Sequence, residues 1–87
     1  MTLNRKYKKL IESIFATPTG ANIRFADIEK LVTALGGKIT EGTGSRMSFE
    51  LAGQKIFLHW PHPGKEAMNY QVEAVREFFS KAGVKDE

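Results

Sequence analysis

The sequence contains no cysteine. Disulfides, thiolate chemistry and the zinc sites built on cysteine are therefore excluded. Histidine is scarce too, with His59 and His62 alone, set among Trp60, Pro61 and Pro63. Two imidazoles in that setting make a poor metal site, so neither a metal nor any other cofactor is expected. No apolar run approaches the roughly 18 residues of a membrane span, and no membrane partner is expected. The opening "MTLNRKYKKL" carries charge without an apolar stretch or cleavage site, so it is not read as a secretory signal. A cytoplasmic protein is the simplest expectation. Repeats and low-complexity segments are also missing.

What is present reads as one small globular domain over residues 1–87, of 9.7 kDa. Hydrophobic residues make up 41% and charged residues 26%, which argues against disorder. The net charge of +3 permits nucleic-acid binding through counterion release without requiring it.

Hydrophobic periodicity predicts a helix over 3–15, with Leu3, Tyr7, Leu10, Ile11 and Ile14 on one face. The basic group "RKYKK" on this helix is read as a solvated face in preference to a phosphate site. "TPTG" at 17–20 ends the helix. A second helix is expected from about Phe25 to Leu35, with a stripe of Phe25, Ile28, Leu31, Val32 and Leu35. Gly36-Gly37 stops it. A short strand near Lys38–Thr40 follows, then "RMSFEL", then "KIFLHW". A last helix is expected from about Tyr70 to Ala82, with Asn69 as N-cap and Gly83 as C-cap. Its buried face would use Val72, Val75, Phe79 and Ala82. The order α-α-β-β-β-α predicts an α+β fold. Its three-stranded antiparallel sheet would carry helices on one face and leave the other at least partly exposed.

The hairpin sets the site. Met47, Phe49 and Leu51 point one way along the middle strand, and Arg46, Ser48 and Glu50 the other. "AGQ" offers a tight turn. With Ala52-Gly53 as the turn, Phe49 faces Ile56 and Met47 faces Leu58. Glu50 then faces Lys55, Ser48 faces Phe57, and Arg46 faces His59. The Glu50–Lys55 pair of opposite charges would help to set this register. With Gly53-Gln54 as the turn, Ser48 faces His59. A slip of one residue would mix the two faces and is disfavoured. Both registers put His59 beside Arg46 or Ser48, away from the helices.

An arginine and a histidine so placed suit a phosphodiester. Histidine exchanges protons near neutrality, and guanidinium grips phosphate and offsets developing charge. Such chemistry can use the ribose 2′-OH and would select RNA. From the hairpin alone, an ordinary exposed polar pair is the commoner case. In "WPHPGKE", His62 is either a structural loop residue or a second proton-transfer group or phosphate contact. Lys65 stands with it near the base of the last helix.

The segments "DIEKLVTALGG", "GSRMSFEL", "FLHWPHPGKE" and "VREFFSKAGV" resemble, in that order, the HicA toxin family over about residues 24–84. Residues 3–15 look like an N-terminal extension. The resemblance implies a double-stranded-RNA-binding-domain-like fold and an mRNA ribonuclease neutralised by a HicB-like antitoxin. It carries over to this chain Gly44 and Ser45 in the turn, and His62 and Lys65 in the loop. The family's histidine after Gly-Ser is matched here by Arg46. Hairpin geometry, not the resemblance, adds His59.

The expected catalytic set is thus His59, Arg46 and His62, and the expected RNA-binding set Gly44, Ser45, Arg46, Ser48 and Lys65. The chain is expected to bind mRNA and a HicB-like antitoxin, and to make no DNA contact by itself. The rival readings are a module that binds RNA without cutting it, and a protein-interaction domain whose sheet pairs with the antitoxin.

Overall fold

The computed structural model describes residues 5–19, 23–61 and 64–85. His62 and Leu3, both singled out above, lie outside these residues. The element order is α1 (Arg5–Phe15), α2 (Phe25–Ala34), β1 (Lys38–Glu41), β2 (Arg46–Leu51), β3 (Gln54–His59) and α3 (Asn69–Lys81). The strands form one antiparallel sheet in the order β1-β2-β3. This is the expected α+β architecture.

The apolar stripes explain the layering. α2 lies against β1 and β2, and α3 against β3. α1 packs on α2 and α3 and reaches the core through them. Ile11 and Ile14 of α1, Phe25, Ile28, Leu31 and Val32 of α2, and Val72, Val75, Phe78 and Phe79 of α3 are buried. They close over Met47, Phe49, Leu51 and Leu58 of the sheet. Each fully buried aromatic or branched side chain of this kind stabilises the fold by about 1.5–3 kcal/mol. Phe78 sits one residue outside the stripe read from the sequence and is buried all the same. On α1, Arg5, Lys6, Lys8 and Lys9 are exposed, as a solvated face requires. Arg76 of α3 fastens the end of α1. Its guanidinium donates to the carbonyl oxygens of Ile14 (2.8 Å) and Ala16 (3.0 Å) and to Thr19 Oγ1 (3.1 Å).

The helix ends differ slightly from expectation. α2 stops at Ala34, with Leu35 as its C-cap. Asn69 is the first residue of α3, and Met68 takes the N-cap position. The Met68 N–H, one of the donors left without an intrahelical partner at the start of the helix, is satisfied by the Gln71 side chain (2.9 Å). At the other end Ala82 is the C-cap and Gly83 follows it with φ +86°.

The hairpin register is the decisive feature. Leu51 pairs with Gln54, so the turn is Ala52-Gly53. Phe49 faces Ile56, Met47 faces Leu58 and Arg46 faces His59. The register that would pair Ser48 with His59 is not formed. Ala52 (φ +50°) and Gly53 (φ +80°) both take positive φ, as a two-residue turn of type I′ needs. Glycine does this freely, whereas alanine carries about 1–2 kcal/mol of left-handed strain. The expected Glu50–Lys55 ion pair is not made, although the residues are opposite. The Lys55 ammonium lies instead 5.3 Å from the centre of the Phe57 ring. An exposed ion pair gains little, so the register rests on the turn and the buried face.

Replacing Ala52 with glycine should release the strain at some cost in unfolded-chain entropy, about 0.4–1 kcal/mol. The net expectation is a gain of roughly 1 kcal/mol or less. Urea denaturation of Ala52→Gly checks it, and lower stability would contradict the strained turn.

Candidate functional site

The site forms where β2 begins and β3 ends. Residues 42–45 turn the chain from β1 into β2. The Gly42 N–H donates to the Arg46 carbonyl (2.8 Å), and Gly44 takes φ +69°, open to glycine at least cost. The Trp60 N–H donates to the Ser45 carbonyl (2.8 Å), extending the ladder one step beyond the Arg46–His59 pair. The side chains of Arg46 and His59 therefore start side by side on the face away from the helices. Both are exposed. Ser45 Oγ is 3.5 Å from His59 Nδ1, a long contact at the limit of a hydrogen bond.

A buried amide holds this end of β3. Gln71 of α3 is 1% exposed, and its Nε2 donates to the His59 carbonyl at 2.6 Å. Its Oε1 accepts from the Met68 N–H. One side chain thus ties the end of the strand to the start of the last helix. Burial of an amide costs free energy unless both its ends are bonded, and here they are. Below the site, Phe25 joins Phe49 (5.8 Å between ring centres) to Trp60 (5.1 Å, edge to face). The backbone around His59 is thereby fixed from three sides while its imidazole stays in solvent.

The other expected residues are placed differently. Ser48 is on the same face as Arg46 and His59 but only 8% exposed, sunk in the central strand between Thr40 and Phe57. Lys65 lies in a segment that pairs with the start of α2. Its carbonyl accepts from the Phe25 N–H (3.0 Å), and the Ala67 N–H donates to the Ile23 carbonyl (2.7 Å). Its side chain is exposed, and among the described residues no hydrogen bond or ion pair joins it to Arg46 or His59.

Sequence reasoning missed a neighbouring cleft of about 450 Å³, lined by Glu29, Glu41, Gly44, Ser45, Arg46 and Trp60 among others. Burial, and then the nearby Glu41 charge, raises the Glu29 carboxyl above its ordinary value. Two carboxylates make this cleft unwelcoming to phosphate, so an anion would meet Arg46 from the open sheet face. It also missed Gln71. The available signal was a lone amide beside Val72 in a buried helical stripe, since a polar group there must be paired. Among the described residues no group of three or more histidine, cysteine or acidic residues could hold a metal, and no helix is long and apolar enough to cross a membrane.

An α+β domain with one bare sheet face, and an arginine–histidine pair at its edge, belongs to the class of small proteins that present a polar surface on a helix-backed sheet. The family model described as "HicA toxin of bacterial toxin-antitoxin" matches residues 25–84, more than half of the chain. The chain belongs to this family and is a HicA-like toxin of a toxin–antitoxin system. The three helices and three-stranded antiparallel sheet among the described residues are consistent with the double-stranded-RNA-binding-domain-like fold expected of that family. Comparison with curated proteins and with solved structures gives no match.

Because the folded state raises the Glu29 carboxyl, folding favours its neutral form. The folded protein then holds more protons than the unfolded chain just above pH 4.5, and stability falls as pH rises through that window. Glu29→Gln should therefore be more stable than wild type near neutral pH, with the gain vanishing well below pH 4.5. Denaturation midpoints at the two pH values test this, and a gain that persists in acid would contradict it.

Proposed function

We propose that this toxin is a metal-independent mRNA endoribonuclease, acting in the cytoplasm and neutralised by a HicB-like antitoxin. The observation that carries the reading is the pairing of Arg46 with His59 across the ladder on the uncovered sheet face. His59 takes the proton from a ribose 2′-OH, and the freed oxygen attacks the adjacent phosphorus. The bond to the 5′-oxygen breaks, leaving a 2′,3′-cyclic phosphate and a 5′-hydroxyl. Arg46 offsets the charge that gathers on the non-bridging oxygens. The leaving oxygen takes its proton from His62 or from water. Gly44 and Ser45 shape the turn against the RNA backbone. Ser48 supports the RNA-facing side of β2 beyond Arg46, and Lys65 supplies an outlying cation. All of residues 1–87 act as one domain, with 24–84 as the family core and α1 as an added helix. The substrate is RNA and not DNA, because the nucleophile is the 2′-OH.

A second reading is favoured by one specific observation. Arg46 stands where the family carries its histidine after Gly-Ser. In that reading catalysis has been lost, and the surface binds RNA or antitoxin only.

RNA integrity after induced expression in a bacterial host separates the two. On the enzymatic reading, wild type arrests growth and cleaves mRNA. Cleavage by purified protein should drop about 10²–10⁴-fold in His59→Ala and about 10²–10³-fold in Arg46→Ala, with His62→Ala testing the second proton transfer. The rate should change across about pH 6–7 and ignore a chelator. Full activity in His59→Ala would refute the role given to that residue. Intact RNA and normal growth with folded wild-type protein would favour the second reading.

A further inference from the structure

The uncovered sheet face holds an aromatic ring that the core does not use. Phe57 is 76% exposed, in the middle of an edge strand. A single exposed apolar side chain is ordinary by itself. Its neighbours set this one apart. His59, Phe57 and Lys55 alternate along β3 and share one face, so each stands about 6.8 Å from the next. That interval matches the reach of one nucleotide in an extended single strand. Across the ladder, Phe57 faces the small, sunken Ser48. The Lys55 ammonium sits 5.3 Å from the ring centre, and most of the ring remains open.

Charge points to the kind of occupant. Lys38, Arg46 and Lys55 share this face with a single acid, Glu50. Lys55 at the ring and Arg46 on the diagonal, on a face with a net excess of cations, suit an anionic polymer that also offers flat π-surfaces. Single-stranded nucleic acid has both, at alternating positions. A protein partner would be matched mainly by the apolar ring.

We infer that β3 is a track for single-stranded RNA, on which Phe57 stacks the base next to the phosphodiester held by Arg46 and His59, and Lys55 meets the following phosphate. This rests on the ribonuclease reading and adds to it how the substrate is held. The track fixes the position of the strand along β3 without reading base identity, because every base has a π-face.

The test measures binding of a short 2′-O-methyl oligoribonucleotide, which lacks the nucleophile and stays intact. Phe57→Ala and Phe57→Leu should bind about 5- to 150-fold more weakly than wild type, and Phe57→Trp should bind at least as well. Leucine keeps an apolar surface and loses the stack, so it distinguishes stacking from plain hydrophobic contact. The salt dependence should be unchanged in the Phe57 variants, whereas Lys55→Gln should lower its slope by ~0.7. An exposed side chain leaves the fold intact, and equal thermal midpoints check that. Wild-type affinity in both Phe57→Ala and Phe57→Leu would overturn the track while leaving the ribonuclease reading standing. So would normal RNA binding by Phe57→Ala with loss of antitoxin binding, which would assign the ring to a protein interface. Wild-type protein that neither binds the oligonucleotide nor cleaves RNA would overturn both.

Discussion

The pairing of β2 with β3 through the Ala52-Gly53 turn is the constraint on which the site depends. Side chains alternate across a strand, so register decides which residues share a face and which stand opposite. The buried face excludes a slip of one residue, the turn puts Phe49 against Ile56 and Met47 against Leu58, and the exposed face follows. Arg46 meets His59 because the Ala52-Gly53 turn selects this register from the two that the core allows. The apolar half of the hairpin and the turn that closes it together set the geometry of the polar half.

The rest of the molecule holds that arrangement still. Phe25 links the central strand to Trp60 just beyond the end of β3. Gln71 binds the His59 carbonyl from beneath. The two supports differ in kind. The aromatic cluster is non-directional and resists displacement by its packing. The amide is directional and fixes one carbonyl, at the penalty that either unmade bond would leave a buried polar group. Between them they hold the backbone at the end of β3, while the imidazole stays exposed.

Charge divides the surface near the site into two parts. The open sheet face is cationic, while the cleft behind Arg46 carries Glu29 and Glu41. An approaching polyanion is attracted to one and repelled from the other. Arg46 lies on the boundary, lining the cleft while its strand position faces the open sheet. Arg46 is a fixed cation, and among the described residues the imidazole of His59 stands across the ladder from it.

Much of this protein was legible in its sequence. The periods of 3.6 and 2 in Phe25–Leu35 and Arg46–Leu51 mark helix and strand, because a face must be buried. The α+β order followed from them, and so did a choice between two hairpin registers. Local pattern could not choose between those registers, since both kept apolar opposite apolar. The turn conformation of Ala52-Gly53 decided it. Only the folded chain sank Ser48, turned Lys55 toward Phe57 in place of Glu50, and left Phe57 uncovered. Tertiary structure alone brought Gln71 under His59 and set Lys65 against α2. Periodicity reports which way a side chain points along its own element. It cannot report what another element places there.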